Sequence, residues 1–190
     1  MLKKIALALA LLGAPAFAAG TPPAPKIVVL DKVAIMQFSK AGQDISRQVK
    51  AYADQAKRDL QGQSMALQNE GRALQQQVAI LSPDIKQKRI AAFQAKEAAL
   101  QGLAQKKDEQ IKAGFYQARV QMEQLLGPIL MEVVKEHGAN LVLDKQAVVS
   151  ASLGGVDITK DVIDRLDAKL PSIKVNLNAP PPPGMQQPRQ

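Results

Sequence analysis

The strongest constraint on this chain is a break in a pattern. Leu60, Leu67, Leu74 and Leu81 recur every seven residues, and Ser82-Pro83-Asp84 follows at once. A seven-residue repeat keeps one face of a helix apolar. Proline disfavours helical geometry in the residue before it but is tolerated in a helix's first turn, so one helix ends here and another begins. Ser82 or Asp84 supplies the cap of the second helix. Its apolar track is Ile90, Phe93, Leu100, Ala104, Ile111, Phe115, Ala118, Met122, Leu125, Ile129 and Val133, interrupted at Glu97 and Lys107. It ends near His137-Gly138, where glycine is the expected stop. The first helical pattern starts around Val33, pauses at Gly42 and runs without proline to Leu81. From Gln43 to Leu81 is about 58 Å of helix, and the second stretch is longer. With two or three residues between them the helices must fold back as an antiparallel hairpin. Residues 43–137 therefore form an arm whose tip is 82–84.

The arm is thinly zipped. Positions between the leucines hold Gln63, Glu70 and Gln77, or are offset to Val78. Only 3% of residues are aromatic and none is Trp, which suits an elongated chain better than a large globular core.

Around the arm the sequence makes a small body. Ile27 to Leu30 is a β-branched run bounded by Pro25 and Asp31 and predicts a strand. After Gly138, residues 140–144 predict a second strand, Lys145-Gln146 a tight turn, and Ala147 to Ala151 a third. Gly154-Gly155 ends that pattern, and Thr159 is the expected cap of a short helix bearing Val162, Ile163, Leu166 and Leu170. Residues 26–42 with 138–175 thus form a β-rich body of a size at which one core is marginal, so self-association is expected. The fold class is mostly α, a long coiled-coil-like hairpin on a small α+β oligomerisation body.

The ends read differently. Lys3 and Lys4, an apolar run from Ile5 to Leu12 and Ala16-Phe17-Ala18 form the pattern of a secretory signal peptide over residues 1–18, cut after Ala18. Residues 19–25 are a proline-rich spacer, and 176–190 a proline-rich tail expected to be disordered. The chain has no cysteine, so an exported protein of this sequence has neither disulfides nor thiolate chemistry. Its formal charge of +8 falls to +6 without Lys3 and Lys4.

Catalytic and cofactor chemistry find little support. His137 is the only histidine, and no glycine-rich phosphate loop or His/Cys cluster occurs, so neither a metal nor another cofactor is expected. Asp157, Asp161 and Asp164 alternate with Lys160 and Arg165 as on a solvated helix face. Lys86, Lys88 and Arg89 cluster at the tip without interleaved aromatics, which argues against nucleic acid and leaves contact with anionic lipid or lipopolysaccharide, an acidic segment, or a simple solvated turn. Met65, Leu67, Leu74, Val78, Leu81, Ile85, Ile90 and Phe93 are single apolar side chains spread along the arm. Some belong to the hairpin's own seam. The others, facing a space between neighbouring arms, would hold an unfolded chain through many small apolar contacts.

The chain resembles the Skp/OmpH-like periplasmic chaperones. The resemblance rests on Lys26-Ile-Val-Val-Leu-Asp31, the long Gln/Lys/Ala-rich hairpin, and NLVLDKQAVVSASLGGVDITKDVIDRL over residues 140–166. It implies a periplasmic homotrimer whose three arms surround an unfolded outer-membrane β-barrel protein and keep it soluble without ATP. The trimeric body would then use Ile27, Val28, Val29, Leu30, Leu141, Val142, Leu143, Val148 and Val149. The competing reading is a structural envelope coiled coil, or a hairpin adaptor, that bridges other components through its tip.

Overall fold

A computed structural model describes residues 24–149 and 154–182. The expected signal peptide, most of the expected spacer and the last eight residues of the expected tail lie outside the described residues. In chain order the elements are strand β1 (Ile27–Leu30), helices α1 (Lys32–Phe38), α2 (Lys40–Gln77) and α3 (Pro83–Glu136), strand β2 (Leu141–Asp144) and helix α4 (Thr159–Lys169). The fold is the expected long helical hairpin on a small α+β body.

β1 and β2 pair in parallel, Ile27 opposite Leu141 and Leu30 opposite Asp144. Parallel strands need a long crossover. Here the crossover is the whole arm, so the sheet ties the two roots of the hairpin together. The third strand is not where the sequence places it. Lys145–Ala147 is a single 3₁₀ turn and Val149 is fully exposed, while Ser150 and Ala151 lie outside the described residues. The other edge of β1 is met instead at Asp157: Val29 N–H donates to the Val156 carbonyl at 2.8 Å and Ile158 N–H to the Val29 carbonyl at 3.0 Å.

Helix boundaries follow side-chain chemistry. The pause comes at Ser39 rather than Gly42. Ser39 is extended, caps α2 by accepting from Gly42 N–H at 3.1 Å, and receives the end of α1. Gly42 serves close approach, since a Cβ there would stand 2.0 Å from the Met36 carbonyl oxygen. α2 ends at Gln77, four residues before Leu81, because Ser82 must be extended ahead of Pro83 and the chain needs room to turn. Ser82 occupies the cap position of α3 without a side-chain cap bond.

At the far end of α3, Ala139 N–H reaches the Val134 carbonyl and Gly138 N–H the Lys135 carbonyl, with Gly138 at φ +60°. This paired closure needs a left-handed residue, which glycine adopts without strain. Thr159 is the first residue of α4, not its cap. Its hydroxyl accepts from Asp31 N–H at 2.9 Å, and its own N–H goes to Asp157. α4 is thereby fastened to the start of α1.

One core fills the body. Val28, Leu30, Ile35, Ile45, Met122, Ile129, Val133, Ile158, Val162 and Leu166 are buried together, joined by Ile173 and Val175 from beyond α4. Val28, Val29 and Leu30 are thus consumed by the chain's own core. Ile27 and Leu141 remain exposed at the sheet's end, and Val142, Leu143 and Val148 are half-buried.

Candidate functional site

The arm is the largest feature the body positions. Three polar pairs join its helices in one register: Gln77 with Arg89, Glu70 with Lys96, and Asp59 with Lys107. Seven residues back along α2 are matched by seven forward along α3, then eleven by eleven, so the pairing does not slip. The Asp59 carboxyl is held below its ordinary range, first by the Gln55 amide and then by the Lys107 ammonium. Both groups are partly buried, and Lys107 lies beside Ala53, Ala56, Ser64 and Ala104. Such short side chains leave the seam loosely filled there.

The phase of the seam differs from the leucine-plus-glutamine reading. Along the outer part of α2 and the turn after it, Ser64 and Gly71 are half-buried with Leu60, Leu67, Leu74 and Leu81, as is the offset Val78, whereas Gln63, Glu70 and Gln77 are exposed. Small residues let α3 come close: a Cβ at Gly71 would stand 3.0 Å from Phe93 Cζ. Leu74, Val78, Ile90 and Phe93 line one shared recess near the tip. Between Lys57 and Lys112 no residue is buried, so apolar surface stays open to water along the whole outer arm.

The candidate contact residues therefore divide. Leu67, Leu74, Val78, Leu81, Ile90 and Phe93 are half-buried, whereas Met65 and Ile85 are exposed at 61% and 43%. Lys86, Lys88 and Arg89 are exposed, and Arg89 reaches back to Gln77. Ile80, at 84% exposure, is the most exposed apolar side chain of the arm and stands within the tip turn. Its place became visible only when α2 stopped early.

A second apolar surface lies at the root. A groove of about 730 Å³ between α1 and α3 is lined by Val33, Met36, Phe115, Met122, Leu126 and Leu130 among others. Phe115 and Leu125 carry the expected helical spacing yet are partly exposed, because α3 turns its Ala113, Gly114, Ala118, Met122, Ile129 and Val133 face inward here. Among the described residues no group of His, Cys, Asp and Glu is arranged to hold a metal, and no helix is long and apolar enough to cross a membrane.

Asp157 and Asp161 knit the body rather than form a site. His137 Nε2 stands 2.9 Å from Asp161, and Lys145 is 3.1 Å from Asp157 and 3.7 Å from Asp31. Arg165 and Lys169 meet Glu132 and Glu136, holding α4 along the last turns of α3.

The family model for outer membrane protein (OmpH-like) matches residues 26–166, from the start of β1 to within α4. The chain belongs to the OmpH-like family. A solved structure from Caulobacter crescentus CB15, described as an OmpH-like outer membrane chaperone, superposes with a TM-score of 0.75. It is 24% identical, with 90% of this chain and 99% of that chain covered, a likeness that establishes the fold. No curated protein matches. The family match ends at residue 166, while ordered chain continues through Ile173 and Val175 into the core. The expected body, ending at 175, takes in Ile173 and Val175 but gives this extension no element of its own, although Ile173-Lys174-Val175-Asn176-Leu177 alternates with the period of a strand.

Proposed function

We propose that this OmpH-like chain is an exported, ATP-independent holdase that keeps unfolded outer-membrane β-barrel proteins soluble in the periplasm. The observation that carries the reading is the unburied outer arm, about 56 residues of hairpin in which apolar side chains are half-covered by their own partner helix. Such a surface offers many small, sequence-tolerant contacts and no shaped pocket. Membership of the OmpH-like family supports it.

The protomers assemble as a homotrimer, with Ile27, Leu141 and Val149 available at the body surface and the arms enclosing the client. Met65 and Ile85 face the client directly, and the seam residues contribute when the hairpin breathes. The tip, with Ile80 beside Lys86 and Lys88, touches anionic lipid or lipopolysaccharide.

The deciding experiment dilutes a urea-unfolded outer-membrane β-barrel into buffer with and without the chain lacking residues 1–18, and follows scattering and complex mass. Suppressed aggregation with a mass of three chains plus one client is expected. Unchanged aggregation beside a stable oligomer would favour a structural coiled coil docking through its tip.

A further inference from the structure

Beyond α4 the chain turns at Pro171 and runs back over both helices at the root of the arm. Ile173 and Val175 are buried. Gln48, eight residues into α2, grips this segment twice: its Nε2 donates to the Ile173 carbonyl at 2.8 Å, and its Oε1 accepts from Val175 N–H at 2.9 Å. In extended chain the carbonyl of one residue and the N–H two residues on face the same side, so one carboxamide meets both as a neighbouring strand would. The remaining Nε2 hydrogen points to Asp44 Oδ2 at 2.7 Å. Reversing the amide would set its oxygen against two acceptors, so its orientation is fixed.

On α3 the same segment passes over Gly114. A Cβ there would stand 2.9 Å from the Asn176 carbonyl oxygen and 2.9 Å from Val175 Cγ1. Ala179 N–H then donates to the Asn176 carbonyl at 3.1 Å, and the chain turns away. One length of backbone is thus held by α2 and seated on α3, where both helices leave the body.

We propose that residues 172–177 are a strap that sets how far the arm opens from the body, with Gln48 as its latch and Gly114 as its seat. The lever is long. Measured from the start of α2 at Lys40, the strap crosses α2 about 12 Å along and α2 ends about 56 Å along, so a shift at the strap grows four- to fivefold at the tip. Further out, between Lys57 and Lys112, no buried side chain fixes the arm. The strap acts on arm geometry whether or not the arm holds a client.

Because the chain has no cysteine, spin labels at Ala66→Cys on the arm and Asp164→Cys on α4 report one distance. Diluting labelled with unlabelled chain keeps that distance within one protomer. Gln48→Leu removes both strap bonds but no buried apolar side chain. Gly114→Ala displaces the strap directly. Gly102→Ala, on the same helix with nothing within 4 Å of the added Cβ, is the control. The wild type and the control should share one narrow distribution. Both strap variants should broaden it by several ångströms and speed Val175 amide exchange at least tenfold, with helical content retained. Faster exchange at unchanged distance would reduce the strap to body packing and overturn the proposal. Unchanged exchange, or broadening in only one strap variant, would overturn it too.

Discussion

The ring of Phe93 occupies the space in which a side chain at Gly71 would begin, with Cζ 3.0 Å from where that Cβ would stand. This close approach depends on having no side chain at that position of α2. Gly62 and Gly102 lie in open space by comparison. Replacing either of those by Ala should stabilise the chain by about 1 kcal/mol through helix propensity alone. Gly71→Ala should give less than that, because Phe93 must give way, and urea unfolding of the three variants reads the difference. An equal gain at all three positions would mean that Phe93 does not rest on Gly71.

Met65 and Ile85 are exposed and touch no core. Changing both to Ser should leave the urea unfolding free energy within about 0.5 kcal/mol, as for other surface positions. If the arms hold clients, the same variant should bind an unfolded β-barrel protein on the order of fivefold more weakly, the share expected of two partly used apolar side chains. Fluorescence titration with a labelled client measures this. Undiminished binding would remove Met65 and Ile85 from the contact surface.

The knot around Lys145 predicts an acid limb. Burial by itself pushes the Asp157 carboxyl up, but the Thr159 hydroxyl and N–H and the Lys145 ammonium together hold it below the usual carboxylate range. Its contribution to stability is therefore fully present above about pH 4, the unfolded value, and is lost as pH falls through the lower folded value. Lys145 is raised, chiefly by its hydrogen bond to Asp157, so its contribution is lost only at strongly alkaline pH. Asp157→Asn should lower the melting temperature at pH 7 and converge on the wild type near pH 2. A constant difference from pH 7 to pH 2 would show that the charge does not matter.

At the tip no carboxylate among the described residues pairs with Lys86, Lys88 or Arg89, while Ile80, within the turn, is exposed. Basic residues near an anionic membrane contribute about 1 kcal/mol each at low salt. Replacing all three with Gln should cut binding to anionic liposomes on the order of a hundredfold at low salt, and by much less at 0.5 M. Ile80→Ser should weaken it at both salt concentrations, which separates insertion from charge. Binding unchanged by the triple variant would dismiss the tip as a lipid contact.

What the sequence determined by itself is whatever short-range chemistry dictates. A seven-residue leucine repeat, a proline that forces Ser82 out of the helix and a glycine free to take φ +60° at residue 138 specify a hairpin, its tip and its end, whatever surrounds them. The tertiary structure decided everything that depends on a distant partner. Ser64 and Gly71, not Gln63 and Glu70, join the leucines in the seam, because the space available to Phe93 settles the phase. β1 completes its free edge with Asp157 rather than with the Val148-Val149 run, because the segment before α4 reaches its N–H and carbonyl groups. Ile173 and Val175 enter the core, and a polar Gln48 becomes a backbone partner, only because α2 and α3 already lie side by side beneath them. Local propensity acts over a few residues, but these choices are made by groups from about twenty to more than a hundred residues apart that must satisfy each other's hydrogen bonds and volume at once.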